Sequence, residues 1–142
     1  MASLRDVRIA LRRQLETISG LRAYDVWPSS INPPVAIVRP LGGDYHQTFD
    51  IGSGGAMFRL EVTVLLQLSV QGVAQEGLDE YVATDGPRSV IQAVECYPAL
   101  GGCADNVVVR GWRDYGVMRV GADEEGRGAD YLGCKFDVEV LL

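Results

Sequence analysis

The sequence predicts an α+β fold: a mostly antiparallel mixed sheet of about five to six strands, with two to three helices packed on one face. Three observations carry that prediction. Phe58, Leu60, Val62, Val64, Leu66, Leu68 and Val70 are apolar at every second position, a period that only a strand has. Leu132, Cys134, Phe136, Val138, Val140 and Leu142 repeat the pattern near the other end of the sequence. Leu4, Val7, Leu11, Leu15 and Ile18 recur instead at helical spacing. With 142 residues, 47% of them apolar, the sequence fits one domain over residues 1–142. A chain of that size buries roughly 70% of its unfolded surface, which excludes disorder for most of it.

Ser3 with Asp6 reads as a capping box with a shortened acid, opening a helix over about 4 to 18 that stops at Gly20. Arg5, Arg8 and Arg12 flank its apolar stripe and Ile9 points away from it. That face is either a partner surface or a helix side with a stray aliphatic. Leu21 to Trp27 and Val35 to Arg39 read as short strands, joined by a segment whose Pro33-Pro34 pair forces an extended connection. Tyr45 to Phe49 extends a hairpin, and the Gly-rich stretch from Asp50 to Gly55 makes a turn or tip.

The long strand at 58–70 turns Arg59, Glu61, Thr63, Gln67 and Ser69 toward water or another subunit, with Leu65 as the apolar exception. A short helix follows from Gln75 to Ala83, and Pro87 suits the first turn of another that runs to about Tyr97. Leu100 to Asn106 is a Gly-rich turn, Val107 to Trp112 and Gly116 to Val120 are strands, and Gly121 to Asp130 is a polar tip. The last strand sets Lys135, Asp137 and Glu139 opposite its apolar side. Strands this long, with a charged second face, imply that something outside the monomer uses that face or the sheet edges.

The formal charge is −6, which argues against nucleic acid as a partner whose affinity depends on neutralised phosphates. No apolar run approaches the roughly 18 residues that span a bilayer. The Arg-rich start carries Asp6 and Glu16 and leads into no apolar region, so it reads as a folded helix and not as a targeting peptide. Twelve of the thirteen basic residues are Arg, which fits a GC-rich genome. Cys96, Cys103 and Cys134 are odd in number and sparse, as in a reducing compartment, with a Cys96–Cys103 bridge as the alternative.

His46 is the only histidine, so every triad or His-based metal site must pass through it, and no cysteine lies near it in sequence. Gly52-Ser53-Gly54-Gly55 precedes a strand and lacks the Lys-Ser/Thr of a phosphate-binding loop. Asp123, Glu124, Glu125 and Asp130 lack the spacing of a calcium loop and read as a solvated tip or a charged docking surface. Trp27, Tyr45, Phe49, Trp112 and Tyr115 lie beside turns; where exposed, they point to an interface. The residues therefore predict no enzyme, no cofactor and no metal site. The rival reading is a small enzyme or ligand-binding domain with a pocket at Asp44, Tyr45 and His46.

The segments Gly20-Leu21-Arg22-Ala23-Tyr24-Asp25-Val26-Trp27-Pro28, Ile31-Asn32-Pro33-Pro34-Val35-Ala36 and Tyr45-His46-Gln47-Thr48-Phe49 form a set with Leu78-Asp79-Glu80-Tyr81 and Gly86-Pro87. Gly111-Trp112-Arg113-Asp114-Tyr115-Gly116 and Tyr131-Leu132-Gly133 complete it. Together they resemble the tail terminators and related head–tail joining proteins of long-tailed phages, particularly those of actinobacterial hosts, over nearly the whole chain. The resemblance implies a virion structural protein without catalysis: a homohexameric ring that caps the head-proximal end of the tail tube. Its partners would be further copies of itself, the major tail tube protein and a neck or stopper protein.

DNA would pass through the lumen unbound, a passage that an acidic protein suits by like-charge repulsion. Another connector, stopper or minor tail protein of the same particle is the alternative. Such a protein would be made in the host cytoplasm and end at the tail–neck junction, without a membrane. Residues chosen as contact candidates for their expected exposure are Arg5, Arg8, Ile9 and Arg12 on the first helix and Tyr45, His46 and Phe49 in the loop. Arg59 and Glu61 on the long strand and Asp123, Glu124, Glu125 and Arg127 at the polar tip complete the set.

Overall fold

Helix α1 (Leu4–Leu15) begins at a complete capping box. The Ser3 hydroxyl accepts the Asp6 N–H at 3.2 Å, and the Asp6 carboxylate accepts the Ser3 N–H at 3.0 Å. Those bonds satisfy two of the first-turn donors and hold the Asp6 carboxyl below its ordinary value. The helix stops three residues earlier than the apolar spacing predicts, because Thr17 turns its hydroxyl onto the Gln14 carbonyl at 2.6 Å. Ile18 stays buried in the turn that follows. The computed structural model describes residues 3–45, 56–68, 71–120 and 129–142.

Strands β1 (Arg22–Tyr24), β2 (Val35–Asp44), β3 (Met57–Gln67), β4 (Asn106–Val120) and β5 (Ala129–Leu141) form one sheet in the order β1-β2-β3-β5-β4. Only β1 and β2 run parallel; the other three pairings are antiparallel. Among the described residues the sheet has five strands, within the expected five to six, and the segment read as two strands is one. β4 continues through Asp114 and Tyr115 as a register irregularity, with Asp114 at φ 56°. β2 likewise runs past its expected end at Arg39, because a bulge at Leu41 absorbs the break at Pro40, which has no N–H to give.

Helix α2 (Gln71–Val82) starts four residues before the expected Gln75. Helix α3 (Val90–Glu95) starts three residues after Pro87, because the Ser89 hydroxyl caps the Gln92 N–H at 3.2 Å. A 3₁₀ turn, Leu100–Gly102, leads into β4.

All three helices cover the same sheet face. Leu60, Val62 and Val64 of β3 and Cys134, Phe136 and Val138 of β5 are buried there against Leu11 and Leu15 of α1, Leu78 of α2 and Val94 of α3. Such apolar burial contributes roughly 1.5–3 kcal/mol per large side chain and is what holds the layers together. The opposite face has its own small cluster, Val35, Ile37 and Leu65, over which Met118, Val120 and Tyr131 at the far end of the β4–β5 hairpin fold. Gly133 permits that close approach: a Cβ at this position would run into the Val64 carbonyl oxygen and Leu65 Cδ2. Leu65, the apolar exception of its strand, is thereby explained.

Candidate interaction surfaces

The second sheet face carries a lattice of charges set by strand register. Arg59 faces Glu139, Glu61 faces Asp137 and Thr63 faces Lys135 across β3 and β5, and Arg113 faces Lys135 across β4 and β5. Alternating residues project to one side of a strand, so these groups meet as cross-strand neighbours. Arg113 bonds Glu61 through Nη2, Asp137 through Nε at 3.1 Å and Asp114 through Nη1 at 2.9 Å. Arg39 and Lys135 lie 3.9 and 4.0 Å from the same Glu61 carboxylate. Arg110 pairs with Glu139 at 2.9 Å and Arg59 with Asp44 at 2.6 Å. The hydrogen bond to Glu61 is the largest cause of the raised pKa of the Arg113 guanidinium, and the bond to Asp44 does the same for Arg59.

Glu61 corrects the expectation that it meets water or a neighbour directly. It is only 3% exposed, and Thr63 only 5%, because Arg113, Arg39 and Lys135 close over them. A carboxylate at this depth persists because it is paired and hydrogen-bonded, including one bond from Thr63 Oγ1 at 3.3 Å.

On α1 the arginine stripe divides. Arg5 is exposed as expected, whereas Arg8 and Arg12 are half-buried and tied down. Arg8 donates to the Asp25 carbonyl at 3.2 Å; Arg12 reaches the Asp25 carboxylate at 3.4 Å and Glu16 at 3.7 Å. They fasten α1 to the segment after β1, so they are not a free stripe. Ile9 is half-buried instead of exposed, because it lines a groove of about 530 Å³ with Ala10, Tyr97 and Leu100. Tyr45 is 73% exposed near the end of β2. His46, Phe49, Asp123, Glu124, Glu125 and Arg127 lie outside the described residues. So does the Gly-rich tip, and with His46 the centre of the pocket read there.

Two tryptophans stand half-exposed, as an interface reading of the turn-flanking aromatics required. Trp27, at 52%, lies on the second face beside Arg39, Thr63 and Lys135. Trp112, at 50%, projects from β4, one of the sheet's two outer strands among the described residues, with Val117 at 61% further along. The Trp112 ring packs 5.8 Å from that of Tyr115, tilted by 60°. Tyr115 donates its hydroxyl to Asp79 at 2.5 Å and to the Gln75 carbonyl at 3.2 Å, which anchors the strand to α2. Desolvation first, and the Asp79 bond second, push this phenol up to about 12.

Sequence reasoning missed Gln14. It occupies the apolar stripe of α1, seven residues after Val7, and that placement was the available signal. Its amide donates to the carbonyls of Val94 at 3.3 Å and Tyr97 at 2.9 Å, while its Oε1 is buried without a partner among the described residues.

The three cysteines are free thiols, so the Cys96–Cys103 bridge does not form here. Among the described residues, no three His, Cys, Asp or Glu side chains converge to hold a metal ion. Among the same residues, no helix is long and apolar enough to cross a membrane. Comparison with known protein families and with curated proteins returns no match.

Proposed function

We propose that the protein is a phage tail terminator, a non-catalytic subunit that closes into a six-fold ring on the head-proximal end of the tail tube and offers its other surface to a neck protein. One observation carries the reading: among the described residues no strand pairs with the outer edge of β4, and that strand presents Trp112 and Val117 half-exposed or more. Open edges with large apolar side chains are normally blunted or covered, and a head-to-tail neighbour in a ring covers every such edge at once. The second face supports it from another side. Its ion pairs are rigidly cross-linked across the strands, which suits a surface that docks as a unit.

In a ring, the virion's tail–neck junction is where the subunit would reside. Light scattering on a size-exclusion column, with and without the tail tube protein, tests the reading. A six-fold mass, or a monomer that assembles only when tube is present, supports the terminator. A monomer indifferent to tube transfers the reading to a connector or stopper of the same particle.

A further inference from the structure

Resting on that ring reading, we infer that the notch beside Trp27 on the second sheet face receives α2 of a second copy, with Val73 against the indole and Glu76 between Arg39 and Lys135. The notch is about 310 Å³, and Trp27, Met118 and Val120 give it an apolar side. Its charged lining is three bases, Arg39, Arg119 and Lys135, against the single acid Glu61. Two of these four groups are already satisfied: Glu61 accepts from Arg113 and Thr63, and Arg119 donates to Asp130. Arg39 and Lys135 remain open. They lie 3.9 and 4.0 Å from the Glu61 carboxylate, and Lys135 lies 4.0 Å from Asp114, so neither makes a hydrogen bond among the described residues. The Arg39 side chain is 61% exposed. A carboxylate with an apolar neighbour is the complement of two open cations beside an indole.

Helix α2 carries that pair on its outward side. Val73, Glu76 and Glu80 fall within about 60° of one another around the helix, away from the buried Ala74 and Leu78. Val73 is 65% exposed. Glu80 is taken by Arg88 at 3.1 Å and Asp79 by the Tyr115 hydroxyl, which leaves Glu76, one turn along from Val73, as the acid of α2 without a partner among the described residues. The helix has no basic residue to oppose Arg39 and Lys135. It lies on the helix-covered face of the sheet and the notch on the opposite face, so the contact joins two different patches front to back. Such a head-to-tail contact is the kind that closes into a ring. Tyr115 ties α2 to β4, so the same contact brings the β4 edge toward the neighbour.

Trp112→Phe leaves Trp27 as the one tryptophan of the full chain and makes its burial readable by fluorescence. On assembly, its emission is expected to shift to shorter wavelength and its quenching by acrylamide to fall several-fold relative to the monomer. Glu76→Arg and Arg39→Glu reverse exposed charges on the two patches. Each should raise the dissociation constant about tenfold, and the pair together should return it to within about threefold of the parent. Should Arg39→Glu disturb the fold through its nearness to Glu61, Val73→Lys reads the contact from α2 alone and should also weaken association about tenfold. Assembly in which Trp27 stays as quenchable as in the monomer, or in which Glu76→Arg and Val73→Lys associate like the parent, overturns the notch and leaves the ring standing. A preformed ring whose Trp27 is shielded only when tube protein is added overturns the second copy as occupant and gives the notch to the tube. A chain that remains monomeric with and without tube protein overturns both.

Discussion

Arg113 on β4 reaches over β5 to bond Glu61 on β3, and on the way its Nε takes Asp137 of the strand between. One guanidinium thus cross-links three strands and covers a carboxylate that is 3% exposed. Removing one partner of such a pair strands a buried charge, whereas removing both with apolar replacements leaves little uncompensated. Arg113→Met is expected to lower the unfolding free energy by about 2 kcal/mol, less than a fully isolated charge would cost, because Arg39 and Lys135 remain nearby. Adding Glu61→Leu should recover most of the loss. Urea titration of both variants checks this, and a single-variant loss under about 0.5 kcal/mol would put the contact in the class of ordinary surface ion pairs.

The fold was legible where a period of two or of 3.6 ran long enough to be unmistakable, as in β3, β5 and α1. What escaped was continuity across irregularities. Asp114 and Tyr115 look like a turn between two strands, yet β4 absorbs them as a bulge because Tyr115 is pulled to α2 by its hydroxyl. That pull depends on a residue 36 positions away and leaves no local trace. Glu61 escaped for a related reason: alternation reports which face a residue is on, but Glu61 is covered by an arginine two strands away. Of the contact candidates, Arg5 and Tyr45 are exposed as expected. Arg8 and Arg12 were misread because their partner, Asp25, lies in a segment with no periodicity.

Gly133 sits where the β4–β5 hairpin folds toward Leu65, with no room for a side chain against the Val64 carbonyl. Backbone atoms cannot yield as a flexible side chain can, so Gly133→Ala should destabilise by about 3 kcal/mol, at the upper end of overpacking costs. Gly72 in α2 faces open space, and Gly72→Ala should instead stabilise by up to about 0.5 kcal/mol through the lower entropy of the unfolded chain. Thermal unfolding of the two variants should therefore move in opposite directions. A Gly133→Ala protein as stable as the parent would show that the hairpin is not pressed onto Leu65.

Cys134 is fully buried between the sheet and the helices, and desolvation pushes its thiol up to about 12. Since the thiolate is the reactive form, Cys134 should resist a thiol reagent in the native protein. Cys96 is exposed and Cys103 half-buried. Colorimetric titration should count two thiols under native conditions and the third only after denaturation. Native reaction of all three would place Cys134 in an opening segment of the sheet.

Alkaline pH should weaken the fold through Cys134 and Tyr115. The thiol moves from an ordinary 9.0 and the phenol from 10.0, both to about 12 in the folded chain, desolvation being the first cause in each case. Below pH 9 both groups are protonated in either state and cost the fold nothing. As pH rises from 9 toward 12 the unfolded chain releases these protons while the folded chain keeps them, so the unfolded state binds fewer protons and unfolding becomes easier. The loss is complete once pH passes the folded values. Urea unfolding at pH about 8 and about 11 measures that slope. Cys134→Ala should flatten it from pH 9 upward despite lowering stability overall, and Tyr115→Phe should flatten it only above pH 10. Slopes identical in parent and variants would mean that neither group is more shielded in the fold than in the open chain.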